Sequence, residues 1–237
     1  MAVALFPIAN NNYNNYEPTK KTNVVPFKKP CNKPRLKMPV QPIKNNEDIQ
    51  RAKNYFLNRP ERYIGLNLRD YTLFTFNINV GLRAGDLVYI RIQDVMANGK
   101  IVDWFIVNEQ KNNSRRIITL RPEIKKLLYD YIMSLPHFEY NYFLFHPRGN
   151  PYKSMTVSNL QKKMKALQKE LDFAYPLGTH SMRKTFAYKA YERNKDNPRG
   201  LVILRDAMGH KHESTTEKYI GKTDEEISSI YTDGELN

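Results

Sequence analysis

Thr179-His180-Ser181-Met182-Arg183-Lys184, with Ala207-Met208-Gly209-His210 and Ser214-Thr215-Thr216-Glu217-Lys218-Tyr219-Ile220 downstream, is the stretch from which this chain can be read. A helix capped by Thr179 puts His180 and Arg183, three residues apart, on one face. A second helix over 201–208 ends at Gly209, a residue type that tolerates the left-handed conformation just past a helix end. A third over 214–220 ends at Gly221 and carries Tyr219, nine residues after His210. These residue types suit one chemistry. An arginine forks two N–H groups onto a phosphate, imidazoles donate to it or move a proton, and a phenol oxygen attacks it. His-x-x-Arg alone is a weak signal, and any one of the 16 tyrosines is ordinarily a core or surface residue. Tyr219 stands apart because of its neighbours.

Two blocks further upstream extend the pattern. Val80-Gly81-Leu82-Arg83-Ala84-Gly85-Asp86-Leu87 precedes Asp94-Val95. Gln110-Lys111-Asn112-Asn113-Ser114-Arg115-Arg116 precedes Ile117-Ile118-Thr119-Leu120. In this order and spacing the four blocks resemble the tyrosine recombinases, the phage integrase family, over roughly residues 46–231. The resemblance implies a catalytic set of Arg83, Lys111, His180, Arg183, His210 and Tyr219, with Asp86 supporting Arg83 where the family commonly has Glu. It places Lys111 in a β-hairpin turn, where Arg115 or Arg116 can partly replace it.

The resemblance also implies a reaction. Tyr219 attacks a DNA phosphate to give a 3′-phosphotyrosyl bond and a free 5′-hydroxyl. A free tyrosine has a pKa near ~10, so a base must take its proton, and His180 is the candidate. Lys111 is the candidate acid for the leaving oxygen. Arg83, Arg183 and His210 hold the phosphate and stabilise the charge that builds there. The covalent link conserves the phosphodiester energy, so no cofactor and no metal is implied. His210-Lys211-His212 is read as incidental. The implied partners are double-stranded DNA and further copies of the chain, as a dimer or tetramer on DNA. Accessory DNA-binding proteins are a further option. Two alternatives stand beside a site-specific recombinase: relaxation in the manner of a type IB topoisomerase, and a catalytically silent DNA-binding regulator. The short chain favours the recombinase, and the intact tyrosine argues against the silent regulator.

Bulk properties agree with a polyanionic partner. The 237 residues carry 38 Lys and Arg against 24 Asp and Glu, a net charge of +14. Residues 1–45 hold eight basic residues and one Glu among scattered prolines and asparagines. They read as a disordered basic arm, either a linker or a strand of positive charge along DNA phosphates. They are not expected to form the helical core-binding domain of larger family members. Cys31 is the only cysteine, which excludes an internal disulfide and fits a reducing compartment. No apolar run is long enough to span a membrane and the start lacks the form of a signal peptide, so a cytoplasmic protein is expected, while the lean to Asn, Lys, Ile and Tyr, residues with AT-rich codons, points to a bacterial, phage or mobile-element source.

The expected fold class is α+β, mainly α: an integrase-like catalytic domain with a small antiparallel β-sheet on a helical body. The catalytic domain covers 46–221. Its elements are a helix capped by Asn46, a buried helix over 66–80 ended by Gly81, and a short helical turn after Gly85. Next come a turn at Asn98-Gly99 and a hairpin of 101–107 with 116–120. Then follow a helix opened by Pro122, an extended piece at 142–145, a basic amphipathic helix over 154–171, and the three helices above. Residues 222–237 form an acidic tail helix able to contact a neighbouring protomer.

Overall fold

The computed structural model describes residues 39–60, 65–109 and 115–221. The described body is mainly helical. Helix α1 (Asn46–Leu57) is capped one residue earlier than the sequence suggests: the Asn45 side chain accepts from the Glu47 N–H at 2.8 Å. Helix α2 (Asn67–Val80) is buried on almost every side and runs through the centre of the core. It packs on α1, on α5 (Pro122–Met133) and on α7 (Thr179–Glu192). An ion cluster ties it to α6 (Val157–Glu170). There the Asp70 carboxylate, 1% exposed, meets Arg69 at 2.7 Å, Arg59 at 2.8 Å and Lys163 at 2.5 Å. Burial alone would raise the Asp70 carboxyl, but the Arg69, Lys163 and Arg59 charges outweigh it and hold it below the usual carboxylate range.

Two short antiparallel hairpins lie on this body. Strands β1 (Met96–Ala97) and β2 (Lys100–Ile101) are joined by Asn98 and Gly99 at φ 48° and 72°. Positive φ at both central residues is the geometry of a tight hairpin turn, and Asn-Gly suits it. Strands β3 (Trp104–Asn108) and β4 (Arg115–Thr119) pair from Trp104 with Thr119 to Asn108 with Arg115. The expected hairpin therefore divides. Ile101 pairs with Met96 rather than continuing into β3, because the Asn98-Gly99 turn starts a hairpin of its own. The piece at 142–145 joins neither hairpin: Phe143 forms an isolated antiparallel bridge with Arg91, just before residues 92–95.

Helix α6 starts three residues later than expected, where the Thr156 hydroxyl accepts from the Asn159 N–H at 3.1 Å. Helix α7 starts at Thr179 with Gly178 in the cap position, and Ser181 Oγ accepts from the Gly178 N–H at 3.1 Å. Helix α3 (Ala84–Val88) forms the short turn after Arg83, and α4 (Ile92–Val95) leads into β1. Helix α8 (Gly200–Met208) ends at Gly209, φ 61°, and α9 (Glu213–Ile220) ends at Gly221. These last two helices rest on a small core of their own. Ala187, Leu204 and Met208 are buried there, with Phe186, Tyr191, Tyr219 and Ile220 packed around them. Among the described residues no helix is long and apolar enough to cross a membrane.

One boundary is corrected. The arm does not run to residue 45, because residues 39–45 lie against the body. Ile43 is fully buried and its N–H donates to Thr185 Oγ1 at 2.8 Å. The Gln41 N–H donates to Pro176 O at 2.9 Å, and Lys184 Nζ donates to Val40 O at 2.8 Å. Prolines and lysines dominate the composition there, but backbone pairing and one buried isoleucine decide the structure. The rest of the expected arm and the expected tail helix, residues 1–38 and 222–237, lie outside the described residues.

Candidate active site

The site forms where the ends of three helices and one hairpin converge. Helix α2 stops at Gly81, whose φ of 66° turns the chain, and a Cβ there would lie 2.2 Å from the Phe186 ring. Glycine thus permits both the turn and the close approach of α7. The buried Asn77 side chain fixes the backbone just beyond the turn: its Oδ1 accepts from the Leu82 N–H at 2.9 Å and its Nδ2 donates to Leu82 O at 3.3 Å. That places Arg83 in extended conformation at the start of α3, with its side chain 16% exposed.

Arg83 forms an ion pair with Glu109, which is fully buried just past β3. The same carboxylate accepts from Arg116 Nη1 at 3.1 Å. Glu109 therefore bridges two arginines. Burial pulls the Arg116 guanidinium down, while Glu109 opposes that pull. The turn at Gly209 lies against this bridge, for a Cβ there would be 3.1 Å from Glu109 Oε2. Arg183, on α7, is fully buried beneath. Its Nη1 donates to Gly81 O at 2.6 Å and its Nη2 to Met208 O at 2.5 Å, so one guanidinium ties the ends of α2 and α8 together. Burial first, then the charges of Arg116 and Arg83, bring it down to about 10. It remains a cation at neutral pH.

His210 follows Gly209, and its Nδ1 lies 3.0 Å from the buried hydroxyl of Thr216. Burial, and then the charges of Arg183, Arg83 and Arg116, push its pKa down to about 4, so the ring is neutral at physiological pH. Tyr219, one turn beyond Thr216 on α9, lies against both histidines. Its Oη is 3.5 Å from His180 Nδ1, and its ring centroid is 4.7 Å from that of His210. The ring also covers Arg183, whose Cζ is 5.9 Å from the ring centroid. Arg83, Asp86, His180, His210, Thr215 and Tyr219 line one open cavity of about 540 Å³.

The phage integrase family model matches residues 53–226. The chain belongs to the phage integrase family. It is 31% identical over 192 residues to the probable integrase/recombinase YoeC of Bacillus subtilis (strain 168), across 81% of this chain and 95% of that protein. It is 22% identical over 204 residues to tyrosine recombinase XerD of Listeria innocua serovar 6a (strain ATCC BAA-680 / CLIP 11262), across 84% of this chain and 64% of that protein. In fold it is similar to the XerH site-specific recombinase bound to palindromic difH substrate in a post-cleavage complex. That match has a TM-score of 0.60 at 20% identity and covers 82% of this chain and 54% of XerH. The XerA recombinase matches with a TM-score of 0.58 at 21% identity, covering 82% of this chain and 66% of XerA. The chain thus spans nearly all of YoeC and about half to two thirds of the Xer proteins. By family it is a tyrosine recombinase, and the solved recombinases share its fold.

Of the residues that the resemblance to the phage integrase family singles out, Arg83, Asp86, His180, His210 and Tyr219 come together around the cavity, and Arg183 lies under it. Lys111 lies outside the described residues. The sequence reading missed Glu109 and assigned Arg116 only a substitute's role. A signal for both was present. Phe105, Val107 and Glu109 alternate along one inward face, and Arg116 pairs with Val107 and so shares that face.

Proposed function

We propose that this chain breaks and rejoins DNA strands through a 3′-phosphotyrosyl intermediate, with Tyr219 as the nucleophile. The observation that carries the reading is the approach of Tyr219 Oη to His180 Nδ1, 3.5 Å apart, at a cavity also lined by Arg83 and His210. Tyr219 Oη attacks phosphorus, its proton passes to His180, and the bond from phosphorus to the 5′ oxygen breaks. Lys111 gives a proton to that oxygen. Rejoining runs the same steps in reverse, with a 5′-hydroxyl attacking the phosphotyrosine.

Arg83 meets a non-bridging oxygen from the cavity wall, held in place from behind by Glu109. With the Thr216 hydroxyl donating to Nδ1, neutral His210 carries its proton on Nε2 and donates it to the same phosphate. Arg183 is covered by the Tyr219 ring, so it reaches the phosphate only as that ring swings out to attack. A cationic wall with fixed donors stabilises the pentacoordinate state more than the ground state. Asp86, buried in the same wall, steadies the turn that carries Arg83.

The ligand is double-stranded DNA, in keeping with the net charge of +14. Strand exchange between two duplexes needs several protomers, and residues 222–237 are the segment suited to contact a neighbour. The test is covalent trapping. Wild-type protein incubated with nicked duplexes from DNA flanking its own coding sequence should give a denaturation-resistant adduct, and Tyr219→Phe should give none while still binding the DNA. An adduct that persists in Tyr219→Phe would place the nucleophile elsewhere.

A further inference from the structure

We propose that residues 39–45 form a strap that positions the nucleophile, with Lys44 as its positioning residue at the end of α9. The inference rests on Tyr219 being the nucleophile. The strap is anchored first to the middle of α7, the helix that carries His180 and Arg183, and to the segment just before it. Gln41 and Ile43 donate backbone N–H groups to Pro176 O and Thr185 Oγ1. Val40 packs so closely that a Cβ on Gly178 would lie 2.8 Å from its Cγ1.

The other end reaches α9. Lys44 Nζ donates to the Gly221 carbonyl at 3.2 Å, two residues beyond Tyr219, and lies 5.0 Å from the centroid of the Tyr188 ring on α7. A cation there meets the negative end of the α9 dipole and one of the carbonyls left over at a helix end. Lys184 makes a second link. Its Nζ donates to Val40 O and lies 5.7 Å from the Tyr219 ring centroid. The strap thus contacts the helix of the general base and the helix of the nucleophile at once.

Helix α9 has need of such a tie. It is eight residues long and rests on the small second core rather than on the main one. A helix with few buried contacts opens locally at low free energy. Each excursion carries Tyr219 away from His180. The strap supplies restraint from outside that small core, and it is continuous with the chain of residues 1–38.

The experiment uses the full chain and a nicked duplex at saturating concentration. Lys44→Met keeps the aliphatic stem and removes the charge, whereas Lys44→Arg keeps both. Lys44→Met should form the covalent adduct about three- to fivefold more slowly, the effect of one favourable charge at a helix C-terminus. Its DNA Kd should stay at the wild-type value, its melting temperature should fall by no more than about 2–4 °C because the same contact is lost from the folded state, and Lys44→Arg should restore the rate. Amide exchange should quicken in α9 and not in α2. An unchanged rate, a loss confined to Kd, or a failure of Lys44→Arg to rescue would overturn the proposal. A wild-type protein that forms no adduct would sink the assignment of Tyr219. The strap would then be judged by amide exchange alone, and unchanged α9 protection in Lys44→Met would refute it.

Discussion

Replacing Glu109 with Gln should destabilise the whole body and nearly silence the site. Glu109 is fully buried, and its carboxylate bridges Arg83 and Arg116, whose side chains are 16% and 9% exposed. Arg183 adds a third buried guanidinium to the same neighbourhood. Glutamine has the same shape but no charge, so the three cations lose the anion between them. Removing one partner of a buried ion pair typically costs ~3–5 kcal/mol, because the remaining charge stays buried without compensation. Glutamine keeps one acceptor oxygen, which argues for the lower end, about 3 kcal/mol. That is a large share of the roughly 5–15 kcal/mol that holds a domain folded. For a body of this size it corresponds to a fall in Tm of roughly 6–12 °C. Thermal and urea unfolding of wild type and Glu109→Gln give the number directly. Adding Arg116→Met to Glu109→Gln should return part of the loss, since one uncompensated cation is then gone. A Tm within 2 °C (roughly 0.5–1 kcal/mol) of wild type in Glu109→Gln, or a double variant less stable than the single one, would refute the reasoning.

Three further outcomes are expected. Asp70→Asn should cost about 3 kcal/mol at pH 7, since Arg59, Arg69 and Lys163 then lack their common anion. The folded-state pKa of Asp70 is depressed, so its contribution is present above the unfolded value of 3.8 and is lost as pH falls through the lower folded value. An acid titration of stability should show that loss in wild type and not in Asp70→Asn. For His210, folding lowers the pKa from 6.5 to about 4, so the folded state resists protonation and stability declines as pH drops through that window. His210→Gln should flatten this decline in unfolding curves taken between pH 7 and pH 4, and an equally steep curve would count against a neutral buried ring. Removing residues 1–38 should weaken DNA binding and reduce the slope of log Kd against log salt, because phosphate contacts leave with the lysines. An unchanged slope would show that those charges do not lie on DNA.

Most elements were readable from local rules. Gly81, Gly209 and Gly221 end helices where positive φ is required, Pro122 opens α5, and Asn98-Gly99 makes a tight turn. The errors are also local in origin. Ile101 belongs to its own small hairpin, because strand pairing depends on which partner is near rather than on β-propensity. Residues 39–45 look like more of the arm, because composition does not reveal backbone hydrogen bonds to Pro176 and Thr185, far along the chain.

By itself, the sequence determined the family, the mainly helical class and a set of candidate site residues, because these depend on residue types at short spacings along helices and turns. Tertiary structure alone decided which carboxylate lies between the arginines. The ion pair of Arg83 reaches across the fold to Glu109, just past β3, which also meets Arg116. It also decided that Arg183 is covered by Tyr219 and that His210 is neutral. Each of these comes from burial and from charges that are distant in sequence and adjacent in space, where the strength of an interaction is set by exclusion of water.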